Sequence, residues 1–209
     1  MIEFKDISLT FGNKIILDKF NYKVDYGEKI WLNGKSGSGK SSFAKLLLGF
    51  LKPDSGEILL EKTMLDSLSV SKFRNRISYV SQDVDLFEGL VKEVITTIFK
   101  YPINKNNLLS KEKLRELLST FYLEENILNK KISELSGGER QKIGFIINVL
   151  LDRDIWILDE VTSGLDEISK KSIIDYFIKN NKTIFIISHD NIFYEYENLK
   201  VLRWNNGNS

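Results

Sequence analysis

The chain has 209 residues, 42% of them hydrophobic, enough for one ordinary globular core and cramped for two full domains. Thirty Lys and Arg against 29 Asp and Glu leave a formal net charge of +1, without the broad basic surface that nucleic-acid binding usually needs, so DNA or RNA is not expected as a partner. The lack of cysteine excludes disulfides, thiolate zinc sites and cysteine-ligated iron–sulfur clusters, and fits a reducing interior.

In chain order, residues 2–11 and 21–25 read as short strands, and Tyr26-Gly27-Glu28 turns into an apolar strand at 29–33 that feeds a glycine-rich loop. A helix begins near Lys40, carries Phe43, Leu46, Leu47 and Leu48, and stops around Gly49. Lys52-Pro53-Asp54-Ser55-Gly56 then turns into a strand at 57–60, and a further strand at 77–80 delivers Gln82. From about 83 to 142 the periodicity becomes helical, over 91–99 and then with Leu114, Leu117, Leu118 and Phe121 on one face of a helix starting after Ser110. Of the aromatics there, most of Phe87, Phe99, Tyr101, Phe121 and Tyr122 are expected in a core, with Phe87 and Tyr101 alternatively lining a groove for a partner's helix. Buried strands at 155–158 and 183–187 bracket a helix near 168–178, an α/β alternation that implies a largely parallel core sheet. Residues 200–204 read as a last strand before a polar tail. The opening Met-Ile-Glu-Phe-Lys-Asp is no basic-then-apolar leader, and the apolar runs are short and broken by charge, so neither a signal peptide nor a membrane span is expected.

Three segments carry chemistry. Gly34-Lys35-Ser36-Gly37-Ser38-Gly39-Lys40-Ser41 satisfies G-x-x-x-x-G-K-S between a strand and a helix. Its glycines let backbone N–H groups curl around phosphate oxygens, Lys40 is placed to reach the β/γ-phosphates, and Ser41 a Mg²⁺, while the loop serines and Ser42 add hydroxyls. The strand at 155–158 ends in Asp159 and Glu160, adjacent carboxylates that point in alternate directions and so can do different jobs. Asp159 is expected to hold Mg²⁺, directly or through water, and Glu160 to polarise the attacking water. Alone, such a pair is more often a solvated strand exit; downstream of a P-loop the functional reading prevails. His189, the single histidine, follows the run at 183–187 and so stands at a strand's carboxyl end, where open α/β sheets bind ligands. There it can hydrogen-bond a γ-phosphate and orient Glu160. Ser136, Gly137 and Gly138 make a helix N-terminus that attracts anions, the alternative being a plain helix cap.

Leu135-Ser136-Gly137-Gly138-Glu139-Arg140-Gln141 ahead of a helix is the signature of ATP-binding cassette (ABC) ATPases, and the chain resembles that family over nearly its whole length. Gln82 in Tyr79-Val80-Ser81-Gln82-Asp83 stands at the Q-loop position, Ser163-Gly164-Leu165-Asp166 at the D-loop, and His189 fits the switch histidine. The resemblance implies an α/β P-loop NTPase core with a mainly parallel sheet, an N-terminal antiparallel β-subdomain and a helical subdomain. Residues 1–209 then form a single ATPase domain, with 1–82 and 143–209 as catalytic core and 83–142 as the helical signature part. ATP and Mg²⁺ are the implied cofactors, with Ser41, Gln82 and Asp159 on the metal, and Glu160, His189, Gln82 and Lys40 in catalysis. Residues 34–42 and Asp166 are implied at the nucleotide, and Ser136, Gly137 and Gly138 at the γ-phosphate held by a second copy, so that two sites form between two subunits. Phe11 stands where the family places an adenine-stacking aromatic, usually tyrosine; the alternative is a core residue on an early strand. The signature helix lacks the usual Arg-Ala pair over 145–150.

Within the family, the implied role is the energy-coupling subunit of a membrane transporter, with permease helices docking between Gln82 and the helical lobe. That places the chain in the cytoplasm, peripheral on the inner face of the cell membrane and not inserted in it. The rival is a soluble ABC machine of DNA repair or translation, but those carry a long coiled-coil insertion or two cassettes. A non-hydrolysing scaffold is disfavoured by the presence of Lys40, Gln82, Asp159, Glu160 and His189 together. Asp85-Leu86-Phe87-Glu88-Gly89, residues 127–139 and the segment around Glu160 resemble a small bacterial single-cassette group linked to iron export. Exporters of lipids or peptides, and importers, stay open, because a nucleotide-binding subunit seldom touches the cargo.

Overall fold

The computed structural model describes residues 1–35, 37–105 and 107–204, so Ser36 and the tail beyond Trp204 lie outside the described residues. The chain divides into two compact units, one of residues 1–77, 154–159 and 181 onward, the other of residues 78–153 and 160–180. In chain order, the first unit holds β1 (Ile2–Phe11), β2 (Lys14–Val24), β3 (Lys29–Asn33), α1 (Lys40–Leu47), β4 (Ser55–Leu60), β5 (Thr63–Met64) and α2 (Val70–Arg76). Strand β6 (Ile77–Val80) leads into the second, which holds α3 (Val91–Lys100), α4 (Lys111–Thr120) and α5 (Gly137–Leu151). Strand β7 (Ile155–Asp159) returns to the first unit, α6 (Glu167–Ile178) belongs to the second, and β8 (Thr183–Ile187) and β9 (Lys200–Arg203) to the first.

The first unit carries two sheets. One is antiparallel, in the order β2-β1-β4-β5; in the other, β7, β8, β3 and β9 lie side by side and parallel. The antiparallel sheet matches the family expectation, but β2 runs over 11 residues where the sequence suggested only 21–25. Its pairing with β1 is interrupted at three places, so its buried positions do not alternate cleanly and period-2 reading fails. Strands β7 and β8 are buried at every residue, as expected of a sheet covered on both faces. Phe43 of α1 forms the centre of the core, with ring centroids 5.0 Å from Phe4, 5.2 Å from Trp204 and 5.3 Å from Phe185. Helix α1 stops two residues before Gly49, whose φ of 65° suits glycine after a helix end. Helix α2 buries only Phe73, too little of an apolar stripe to be visible in the sequence.

The second unit is helical. In α3, Val91, Val94, Ile95 and Phe99 form the buried face, and α4 opens at Ser110, whose hydroxyl accepts from the Lys113 N–H at 3.1 Å. Phe121 packs edge-on against Phe145 and Tyr176, both 5.4 Å away. Of the five aromatics noted above, Phe99 and Phe121 are buried, whereas Phe87, Tyr101 and Tyr122 are exposed, fewer in the core than expected. Helix α5 is buried without a break from Gln141 to Val149, so it shows no single apolar face. Gly144 permits that burial, since a Cβ there would stand 2.7 Å from Val84 Cγ1.

Candidate functional site

The register of the parallel strands positions the site. Leu32 of β3 and Asp159 of β7 are both aligned with Ile187 of β8, so three strands end at one level. From those ends emerge the glycine loop after Asn33, Asp159 itself, and the Ser188-His189 segment. Open α/β sheets bind ligands at this edge.

The loop is shaped by its neighbours in the first unit. Gly39, with φ of 98°, starts α1, and a Cβ on it would lie 2.5 Å from Ile16 Cγ2 of β2. Gly37 also has positive φ, 74°, and faces open space. Gly34 is required for a different reason: a Cβ there would stand 2.2 Å from the Trp204 carbonyl oxygen. The first glycine therefore admits the end of β9, a role that its place in the motif does not reveal. Lys40 is 7% exposed and donates to the carbonyls of Gly34 at 2.6 Å and Lys35 at 3.0 Å, which holds a cation inside the loop. Lys14 donates to the Gly37 carbonyl. The Ser38 hydroxyl is buried without a hydrogen-bond partner, and the Ser38 carbonyl accepts from the Trp204 indole N–H at 3.0 Å. Ser41 is exposed and Ser42 half-buried in the first turn of α1. The Ser42 N–H already donates to the Gly39 carbonyl at 2.9 Å, and the N–H groups ahead of it in such a turn are the ones suited to an anion.

Phe11 is 48% exposed at the tip of the β1–β2 hairpin, not in the core, and is paired in register with Lys14. Lys14, and not Phe11 itself, is the residue of this hairpin tip seen to reach the glycine loop. Asp159 is 5% exposed at the end of β7, and Glu160 after it, 9% exposed, adopts a left-handed backbone with φ of 50°. That conformation costs a non-glycine residue about 1 kcal/mol or more, but Asp6, Lys19, Glu61, Lys62, Tyr122 and Asp152 share a positive φ, so it does not by itself mark Glu160. His189 is exposed, between Ser188, whose hydroxyl accepts from the Asp190 N–H at 3.1 Å, and a short 3₁₀ turn.

The second unit carries the remaining expected residues. Ser136 and Glu139 form a reciprocal cap on α5, the Ser136 hydroxyl accepting from the Glu139 N–H at 3.1 Å and the Glu139 carboxylate from the Ser136 N–H at 2.8 Å. That backbone bond, helped by Lys130 at 3.1 Å, holds the Glu139 carboxyl below the usual range. Gly137 faces open space, whereas a Cβ on Gly138 would stand 3.3 Å from Leu165. Asp166 caps α6, accepting from the Ser169 N–H at 2.9 Å and hydroxyl at 2.7 Å, which lowers its pKa. Exposed Gln82 borders a cleft of about 330 Å³ that Asp83, Asp85, Gly137, Arg140 and Gln141 also line.

Sequence reasoning missed Lys14, Ile16 and Trp204 as neighbours of the glycine loop, because each comes from a strand remote in sequence. Among the described residues no three His, Asp or Glu side chains gather to hold a metal. A carboxylate on β7 and a hydroxyl on α1 instead fit a hard cation that keeps waters and arrives with phosphate oxygens.

The sequence model described as ABC transporter matches residues 17–163 of this chain. The chain belongs to the ABC transporter family. It is an ATPase of that family. It is 31% identical over 194 residues to the "probable iron export ATP-binding protein FetA" of Escherichia coli (strain K12), covering 91% of this chain and 85% of that protein. It is 32% identical over 197 residues to the "ATP-dependent lipid A-core flippase" of the same strain, where it spans only 34% of the relative's length. Its fold superposes on the dimeric structure of MJ0796, a bacterial ABC transporter cassette, with a TM-score of 0.79 at 27% identity, over 97% of this chain and 94% of that one. A dimeric post-hydrolysis state of the same cassette, bound to ADP and Pi, gives a TM-score of 0.75 over 91% and 88% of the two chains, again at 27% identity. No helix among the described residues is long and apolar enough to cross a membrane.

Proposed function

We propose that two copies of this chain close around two ATP-Mg²⁺ and that hydrolysis reopens them, a stroke delivered to a separate permease. The observation that carries this reading is the common level at which β3, β7 and β8 end, which gathers the glycine loop, Asp159 and the His189 segment in one unit. In the proposed cycle, residues 34–42 hold the phosphates, Lys40 neutralises the β/γ-phosphates, and Phe11 stacks on adenine. Ser41 and Asp159 would hold Mg²⁺, with Gln82 added only by the family resemblance, and the ion would supply neutralisation of charge on the phosphate oxygens. Glu160 accepts a proton from the water that attacks the γ-phosphorus while the bond to the leaving oxygen breaks, and His189 orients water and phosphate. Ser136, Gly137 and Gly138 meet the γ-phosphate of the second copy; open space at Gly137 supports that approach, with Asp166 beside it as a cap. The whole chain thus acts as one ATPase domain, with 83–142 as its signature-bearing part.

Likeness to FetA and the flippase, both transport proteins by name, favours transport over a repair or translation machine, and FetA supports metal-ion or other small-solute export as the finer reading. The chain would then work at the cytoplasmic face of the membrane, bound to its permease through the Gln82 cleft.

The deciding experiment is the solution mass of Glu160→Gln protein with and without ATP-Mg²⁺. A monomer that doubles in mass only with nucleotide supports the shared site; a variant that binds ATP yet stays monomeric sinks it. Phe11→Ala is expected to weaken ATP binding about tenfold, since aromatic–base stacking contributes on the order of 1–3 kcal/mol. An unchanged Kd in nucleotide titration removes Phe11 from the site.

A further inference from the structure

We propose that two buried indoles, Trp204 and Trp31, are positioning residues of the ATPase site, each pinning one of its loops through a single N–H. The inference rests on the reading of the glycine loop and the His189 segment given above. Trp204, directly after β9, is fully buried; its backbone N–H donates to Asn33 at 2.6 Å and its indole N–H to the Ser38 carbonyl at 3.0 Å. Its ring is fixed edge-on between Phe20 at 5.7 Å and Phe43 at 5.2 Å, so the donor has little freedom to turn away. Trp31, in the middle of β3, is also fully buried and donates its indole N–H to the Ser188 carbonyl at 2.9 Å. Its ring is held by Tyr194 at 4.7 Å and Phe193 at 5.5 Å, and the Tyr194 hydroxyl is in turn hydrogen-bonded by the Asn33 amide at 2.7 Å.

Both bonds act through the geometry of the peptide unit. In a trans peptide the carbonyl and the following N–H point in opposite directions. Drawing the Ser38 carbonyl toward Trp204 therefore turns the Gly39 N–H, at the residue that starts α1, the opposite way. Drawing the Ser188 carbonyl toward Trp31 fixes the peptide that leads into His189 and so sets the direction of that side chain. Both indoles are fully buried and reach the site only through a neighbour's carbonyl. Each decides where a neighbour's donor points, and the two serve different steps: Trp204 the binding of phosphate, Trp31 the histidine that acts on it.

The test separates donor from bulk. Trp204→Phe is expected to raise the Kd for ATP-Mg²⁺ about fivefold with kcat within about twofold of wild type, as loss of one hydrogen bond on the binding loop predicts. Trp31→Phe is expected to show the reverse split, kcat lowered about fivefold with Kd within about twofold. Because phenylalanine also leaves a gap, 3-benzothienylalanine is placed at each position; it keeps the bicyclic shape and replaces only the N–H by sulfur. If the benzothienylalanine proteins reproduce the two splits, the indole donors are the cause. Wild-type Kd and kcat in those proteins, with at most a lower unfolding midpoint, overturn the proposal and leave the indoles as packing residues. Lys40→Ala, assayed in parallel, keeps the two readings apart. Loss of ATP binding in it alone, beside unaffected indole variants, sinks the indole proposal. Normal ATP binding by Lys40→Ala sinks the loop reading on which it rests.

Discussion

Replacing Lys40 by alanine is expected to lower ATP turnover by about 100- to 1,000-fold, the effect of removing one preorganised charge from a phosphoryl-transfer site. The lysine is 7% exposed and its ammonium is already held between the carbonyls of Gly34 and Lys35, so its position is set by the loop. In the proposed cycle a charge fixed in that way would need no reorganisation when phosphate charge shifts toward the leaving oxygen, and would act more strongly in the transition state than in the ground state. Alanine also removes the donor to two loop carbonyls, so ATP affinity is expected to fall along with kcat. Lys40→Arg keeps the charge but cannot place a planar fork where an ammonium sits, and is expected to recover only part of the loss. Steady-state ATPase assays and nucleotide titration of the purified variants measure both effects; turnover within about threefold of wild type for Lys40→Ala would exclude Lys40 from the mechanism.

The largest expected loss of stability comes from Phe43→Ala, at about 3–5 kcal/mol. Phe43 is fully buried and lies within 5.3 Å of three other rings, Phe4, Phe185 and Trp204, contributed by three different strands or strand ends. Removing it leaves a hole that those rings can fill only by leaving their own rotamers, so the cavity cost adds to the lost burial. Phe43→Leu retains much of the volume and is expected to cost less, within about 1–2 kcal/mol. Denaturant unfolding monitored by circular dichroism gives the midpoints; an alanine variant within about 1 kcal/mol of wild type would show that the core closes up around the gap.

Much of the architecture was readable because local pattern and tertiary role coincide. In α3 and α4 the apolar spacing is that of one buried face, and Ser110 marks the start of α4 both as a residue type and as an observed cap. The glycine loop and the capped signature helix are equally plain, since their chemistry needs fixed residue types at fixed spacing. What escaped depends on partners far away in the chain. Most of β2 was missed because irregular pairing breaks its alternation, and α2 because a single buried phenylalanine marks no face. Helix α5 carries no legible period beyond its cap, since it is buried on all sides. Gly34 was understood as a phosphate-loop glycine, yet the atom that forbids a side chain there belongs to Trp204. A motif says that a glycine is required; only the packing says by what.

The bond between Trp204 and Ser38 also sets an order of events during synthesis. The two residues are 166 positions apart, and β3, which leads into the glycine loop, pairs with β8 and β9, both made after residue 180. A nascent chain carries the complete glycine motif once residue 41 is made, but the strand that seats it and the indole that ties it do not yet exist. Contacts of such separation form late, after the cost of closing a long loop has been met. Synthesis therefore completes the glycine motif long before the strands and the indole that hold its loop, so the loop can take its anchored form only after the C-terminal strands have joined the sheet.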